Sequence, residues 1–192
     1  MVLAALTVLL ALGTSAQADL INGDFEAGGT GWTTQGIAFF PTSGGNGIAV
    51  LNENDAYSYP DGTKAFDFSS ITQQFTRSPA QTRLEFDYHL SGPASETDYF
   101  QILLNGAVTE VAATNNPALL DGNWHHASYD ISSLPADPSQ NMIVFRLKGY
   151  NDHPSLSSVE LDNVRLVAVP VPAAAVLASL GLACAARRLR RS

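Results

Sequence analysis

Apolar and polar residues alternate along most of the chain interior. Leu84, Phe86, Tyr88 and Leu90 share one face while Glu85, Asp87 and His89 take the other, the period-two signature of a half-buried strand. Ile143, Phe145 and Leu147 stand opposite Val144, Arg146 and Lys148, and Val159 and Leu161 stand opposite Glu160 and Asp162. Short runs rich in Phe, Tyr, Thr, Val and Ile predict ten strands, at Leu20–Glu26, Gly36–Phe40, Gly47–Leu51, Phe66–Thr76, Thr82–Leu90, Tyr99–Leu104, Thr109–Ala113, Trp124–Asp130, Met142–Lys148 and Ser158–Val167. Gly, Asn, Asp, Pro and Ser clusters separate them, and no amphipathic helix of convincing length intervenes. Such a chain is all-β, with two packed antiparallel sheets forming a sandwich. A jelly roll fits best. An immunoglobulin-like sandwich is the competing arrangement, weakened by the missing cysteine pair. The longest irregular stretches, Asn52–Ala65, Ser91–Thr97, Ala113–Asn123 and Gly149–Ser157, are where function would sit.

The pattern breaks at both ends. Residues 2–12 are almost wholly apolar, and the small side chains of Ala16 and Ala18 suit the −3 and −1 positions of a signal-peptidase cut. Residues 1–18 therefore read as a signal peptide, although no Lys or Arg precedes the apolar run; a buried core helix is the alternative. At the other end, Val169-Pro170-Val171-Pro172 precedes an apolar run from Ala173 to Ala186 and then Arg187, Arg188, Arg190 and Arg191. That run is short of the ~20 residues that span a bilayer. The prolines separate it from the preceding strand, and the arginines hold its end in the cytoplasm. The same residues could instead form a terminal helix packed on the domain. The expected organisation is a signal peptide, a sandwich domain at 19–168, and a transmembrane sorting helix within a tail at 169–192.

Charge sharpens this division. All 18 acidic residues lie between Asp19 and Asp162, whereas four of the ten basic residues lie in the tail. With six basic residues left, the domain carries a net charge of −12, which disfavours polyanions such as nucleic acid and attracts cations. Simple solubility explains much of that charge as well. The single cysteine, Cys184, lies in the tail, so the domain has neither a disulfide nor a thiolate metal site.

Five phrases, in order, carry a family resemblance. Leu20-Ile21-Asn22-Gly23-Asp24-Phe25-Glu26 precedes Gly31-Trp32; Ile71 to Thr76 leads into Leu84 to Tyr88; Asp98 to Leu104 ends in Asn105-Gly106; Gly122-Asn123-Trp124 opens a strand; and Leu161-Asp162-Asn163-Val164 closes the domain. This order resembles jelly-roll carbohydrate-binding modules of the galactose-binding-like superfamily, over about Leu20 to Leu166. The tail resembles the PEP-CTERM class of sorting signals in its Val-Pro-x-Pro-Ala variant, with Val169, Pro170, Val171, Pro172 and Ala173 as the motif. Val171 stands where Glu is commonest. That resemblance implies an exosortase partner, a Gram-negative bacterium, transient membrane anchoring, and a place at the cell surface or in the extracellular polymer matrix.

The module resemblance also implies a structural calcium where the two domain ends meet. Glu26 and Asp162 match the family's acidic ligands, and Ser43-Gly44-Gly45-Asn46 matches the stretch that donates backbone carbonyls. Asp24 is a further candidate, by alternation onto the face of Glu26. Calcium accepts such mixed oxygen sets, and the glycines let carbonyls turn inward. Two surface acids beside a Gly-rich hairpin turn is the plainer reading.

A sugar platform needs aromatic faces beside Asp, Asn and Gln. Tyr57 and Tyr59 lie in a polar loop with Asn54, Asp55 and Asp61, Trp124 opens a strand, and Tyr150 and Asp152 share a loop with Asn151 and His153. Trp32 and Trp124 serve equally well as packing residues. These aromatics make a polysaccharide or exopolysaccharide matrix the expected partner. No catalytic motif is present: there is no Gly-x-Ser-x-Gly, His-Glu-x-x-His, phosphate loop or dinucleotide fingerprint. His125 and His126 point to opposite faces of a strand, so they cannot easily share an ion. The expectation is a non-catalytic glycan-binding surface protein, with a structural or adhesive matrix protein and a cryptic glycoside hydrolase as the alternatives.

Overall fold

Strand after strand crosses from one sheet to the other in a computed structural model that describes residues 20–53, 68–94, 98–136, 140–149 and 157–168. The strands are β1 (Thr33–Gln35), β2 (Ile37–Phe39), β3 (Thr42–Ser43), β4 (Asn46–Gly47), β5 (Ala49–Asn52), β6 (Phe68–Phe75), β7 (Gln81–Ser91), β8 (Tyr99–Leu104), β9 (Ala107–Ala113), β10 (His125–Asp130), β11 (Asn141–Lys148) and β12 (Ser158–Ala168). The first sheet runs β1-β6-β11-β8-β9 and the second β10-β7-β12-β5-β2, with β3 and β4 forming a separate hairpin. Every pairing is antiparallel. Among the described residues a single 3-10 turn, Pro117–Leu119, is the one helical element, and no helix is long and apolar enough to cross a membrane. The segments expected to form a signal peptide and a sorting tail, including Val169–Ala173 and Arg187–Arg191, lie outside the described residues.

Alternation fills the space between the sheets. Leu84, Phe86, Tyr88 and Leu90 of β7 face Ile143, Phe145 and Leu147 of β11, all buried. Phe86 sits at the centre, with Phe145 edge-on at 4.9 Å and Tyr129 stacked at 5.9 Å. Each such side chain contributes roughly 1.5–3 kcal/mol by leaving water. Trp32 belongs to this core, against Phe25 at 5.5 Å and Phe145 at 6.1 Å.

Polar clusters close the two ends. At one, buried Arg77 donates to the carbonyls of Leu134, Ser78, Gln81 and Ser132, tying the β6–β7 turn to the segment after β10. At the other, buried Glu53 accepts from the Ser157 N–H at 3.2 Å, and the Ser157 hydroxyl donates to the Asp98 carboxylate.

Nine of the ten expected strands lie on observed ones with small boundary shifts, Gly36–Phe40 among them as β2 with β1 preceding it. Leu20–Glu26 is different: it is a series of turns, with Asn22 at φ +52° and Phe25 at φ +53°. Gln73 explains why. Its side chain accepts from the Ile21 N–H at 2.8 Å and donates to the Ile21 carbonyl at 2.9 Å, replacing a strand partner. Asn22 then organises the turn, accepting from the Ala27 N–H and donating to the Gly28 carbonyl.

Candidate functional site

The hairpin of β3 and β4 draws two distant carboxylates together. Gly44 and Gly45, at φ +63° and +93°, supply the left-handed pair that a two-residue hairpin turn requires. Immediately beyond it, Asn46 Nδ2 donates to Asp162 Oδ2 at 3.0 Å, and the Gly47 N–H donates to Glu26 Oε1 at 3.0 Å. Gly47 is required there, because a Cβ would sit 2.2 Å from the Phe25 carbonyl oxygen. A bulge in β12 follows Asp162, with Asn163 at φ +55° and its N–H 2.6 Å from Asp162 Oδ1.

Glu26, Asn46 and Asp162 are thus brought to one place. Asp24 is not placed there by strand alternation, since its segment is a turn. It accepts from the Glu26 N–H at 3.4 Å and lines a separate cleft with Asn163 and Arg165. Among the described residues no group of three or more His, Cys, Asp or Glu is placed to hold a metal. A cation at the hairpin would use the two carboxylates, the Asn46 amide oxygen and backbone carbonyls, an all-oxygen set that suits calcium and excludes thiophilic metals.

The outer face of the first sheet carries a continuous ladder of polar side chains. Gln35, Ser70, Arg146, Gln101 and Glu110 are cross-strand neighbours over all five strands. Arg146 stands in the middle. Its Nε and Nη2 donate to Gln101 Oε1 at 3.1 and 2.6 Å, and its guanidinium lies 5.6 Å from the Phe68 ring centroid. Val144, Leu103 and Val108 form the adjoining row with Thr72. On the other side, Lys148 pairs with both Phe68 and Tyr99. Hydrogen-bonding groups therefore lie beside apolar and aromatic surface along one line. Residues 54–67 join this sheet at Phe68, and residues 150–156 follow β11 and Gly149. Of the expected sugar contacts, Tyr57, Tyr59, Tyr150 and Asp152 lie within those two segments, outside the described residues.

Trp124 belongs to the opposite face. It precedes β10 on the outer side of the second sheet, 46% exposed, with its ring 6.1 Å from that of His89. Sequence alternation rightly separates its neighbours. His126 faces out, 2.8 Å from Asp87, while His125 packs on Tyr88 at 5.5 Å and lies 3.2 Å from Asp121. Hydrogen bonds from Asn123, chiefly its side chain, hold the Asp121 carboxyl below the usual carboxylate range, helped by nearby His125. Burial raises the Tyr88 and Tyr129 phenols above theirs.

No protein-family model and no curated protein matches the chain. Solved structures do. The carbohydrate-binding module TmCBM61, determined with β-1,4-galactotriose, superposes with a TM-score of 0.51 at 13% identity, covering 78% of this chain and 97% of the module. The fold is the jelly roll of carbohydrate-binding modules. Two further matches are TmCBM27, a module that recognises mannan (TM-score 0.43, 13% identity, 73% of this chain and 90% of that one), and CBM28, specific for non-crystalline cellulose (0.45, 17%, 76% and 92%).

The Arg146 ladder was not foreseen. Its signal was present in the alternation of Val144, Arg146 and Lys148, but which strands flank β11 depends on topology, and only that brings Gln35, Gln101 and Glu110 into line. Phe39, 45% exposed on β2, was missed because strand aromatics are more often buried.

Proposed function

We propose that this protein is an exported, non-catalytic glycan-binding module that lays a polysaccharide chain across the outer face of its first sheet. The ladder of Gln35, Ser70, Arg146, Gln101 and Glu110 carries this reading. A pyranose presents hydroxyls at its edge and C–H groups on its faces. Gln35, Arg146, Gln101 and Glu110 offer donors and acceptors for the edge, with Ser70 buried beneath them, and Phe68, Tyr99, Val144 and Leu103 offer surface for the faces. Arg146 is preorganised: Gln101 and Phe68 fix its guanidinium before any ligand arrives, which lowers the ordering cost of binding.

Calcium at the hairpin completes the proposal as a structural ion. Glu26, Asp162 and Asn46 would hold it, pinning the N-terminal turn to β12. Residues 1–18 would direct export. Residues 169–192, with their Pro motif and arginine cluster, would pass through an exosortase and leave the domain at the cell surface or in a polysaccharide matrix. The test is a polysaccharide panel probed with the mature domain and with an Arg146→Ala, Gln101→Ala double variant. Binding by the first and loss of binding by the second, at equal melting temperature, supports the assignment. Equal binding by both removes the ladder from the site, and binding by neither removes the function.

A further inference from the structure

The outer face of the second sheet holds a different row. Phe39, Val50, Glu160 and His89 are successive cross-strand partners on β2, β5, β12 and β7, and Trp124 packs on His89 at the far end. From β2 to β10 is four inter-strand spacings, about 19 Å. Phe39, Trp124, Val50, Asn46 and Glu160 line an open groove of about 460 Å³ along this row. Both rings that bound it are nearly half exposed, Phe39 at 45% and Trp124 at 46%, while Phe25, Trp32, Phe86, Phe100 and Phe145 are all buried. Two aromatics held in water on one groove mark a contact surface.

Charge identifies what fits. Among the described residues the groove is lined by one ionisable side chain, Glu160, and by no Lys or Arg. Glu160 Oε2 lies 3.3 Å from His89 Nδ1, which fixes the carboxylate in mid-groove. The domain as a whole is strongly acidic. A uronate chain would be repelled. A neutral glycan would stack on the rings but gain only a hydroxyl contact from Glu160. A sugar bearing an ammonium gains an ion pair with Glu160 and a cation–π contact with Trp124.

We propose that this groove is a second carbohydrate site, separate from the Arg146 face, and that it takes a chain of amino sugars with free ammonium groups.

Calorimetric titration of the mature domain with glucosamine hexamer, N-acetylglucosamine hexamer, cellohexaose and oligogalacturonate tests this directly. Glucosamine hexamer is expected to bind best and oligogalacturonate not at all. Glu160→Gln should weaken glucosamine binding about tenfold while leaving the N-acetylated chain nearly unchanged, and higher salt should narrow the gap. Trp124→Ala should abolish both. Arg146→Ala should leave both intact, so failure of this site and failure of the Arg146 face are read separately. Trp32 is buried, so any fluorescence shift on binding reports Trp124. The proposal is overturned if glucosamine hexamer binds no better than cellohexaose, or if Glu160→Gln binds it as well as wild type. It is equally overturned if Phe39→Ala and Trp124→Ala abolish self-association in sedimentation without affecting any sugar, since the groove then receives a second copy of the chain.

Discussion

Asn46 donates its side-chain amide to Asp162 across 116 positions of sequence, at 3.0 Å. The adjacent Gly47 N–H does the same for Glu26, so one two-residue strand clasps both ends of the domain. If calcium occupies this clasp, it stabilises by binding only the folded chain. At a hundredfold excess over Kd the gain is ~2.7 kcal/mol, or about 5–10 °C in a domain of this size. Differential scanning calorimetry with calcium and with a chelator should show that shift in wild type and its loss in Glu26→Gln and Asp162→Asn. An identical melting temperature in both buffers would remove the ion from the account.

Gly47 is the mechanical weak point of the same clasp. A methyl at this position meets the Phe25 carbonyl oxygen at 2.2 Å, and backbone cannot swing aside as a side chain can. Gly47→Ala should therefore destabilise by ~2 kcal/mol or more, measured by urea unfolding. Gly44→Ala meets nothing within 4 Å, and its cost should be the smaller one of a left-handed backbone.

Arg77 closes the far end with a fully hydrogen-bonded guanidinium that donates to the carbonyls of Leu134, Ser78, Gln81 and Ser132. Its acceptors are backbone carbonyls, which an alanine leaves unmatched, that of Gln81 fully buried and those of Ser132 and Leu134 partly so. Arg77→Ala should lose roughly 2–4 kcal/mol in denaturant titration. Arg77→Lys should recover only part of that, because an ammonium cannot satisfy acceptors on both segments at once.

Tyr88 and Tyr129 flank Phe86 in the core, and burial raises both phenol pKa values above their usual 10.0. A raised folded value means the neutral form is favoured on folding. That contribution is whole below about pH 10 and declines as pH climbs through the folded pKa values. Stability should thus fall on the alkaline side above pH ~10, and Tyr88→Phe with Tyr129→Phe should flatten the fall. A pH series of melting temperatures reads the difference.

Much of this architecture was legible because burial is one-sided. In β7 an apolar face stands strictly against a polar one, β11 and the first half of β12 repeat that pattern less cleanly, and all three lie within two residues of their expected positions. Residues 20–26 misled because Leu20 and Phe25 look like strand residues, while the partner that replaces the strand ladder is a single glutamine, Gln73, some fifty positions away. Yet Asn22, Gly23, Asp24 and Gly28 are turn formers, and their density was the better guide. The clasp was visible as Glu26, Asp162 and a Gly-Gly hairpin. The two outer faces were not, since a ladder such as Gln35–Ser70–Arg146–Gln101–Glu110 exists only once strand order is known. Trp124 was visible as an aromatic opening a strand, but sequence could not place it on the face opposite Arg146.

The central claim is that Arg146 and Gln101 bind glycan on the first sheet. Isothermal titration of the mature domain against the polysaccharide that scores highest on a glycan array, run beside Arg146→Ala and Gln101→Ala, tests it most directly. The account predicts saturable binding by wild type, a loss of at least tenfold in affinity for each variant, and melting temperatures within 2–4 °C of wild type, the shift of about 1 kcal/mol. Unchanged affinity in both variants, with a wild-type domain that plainly binds, would contradict it.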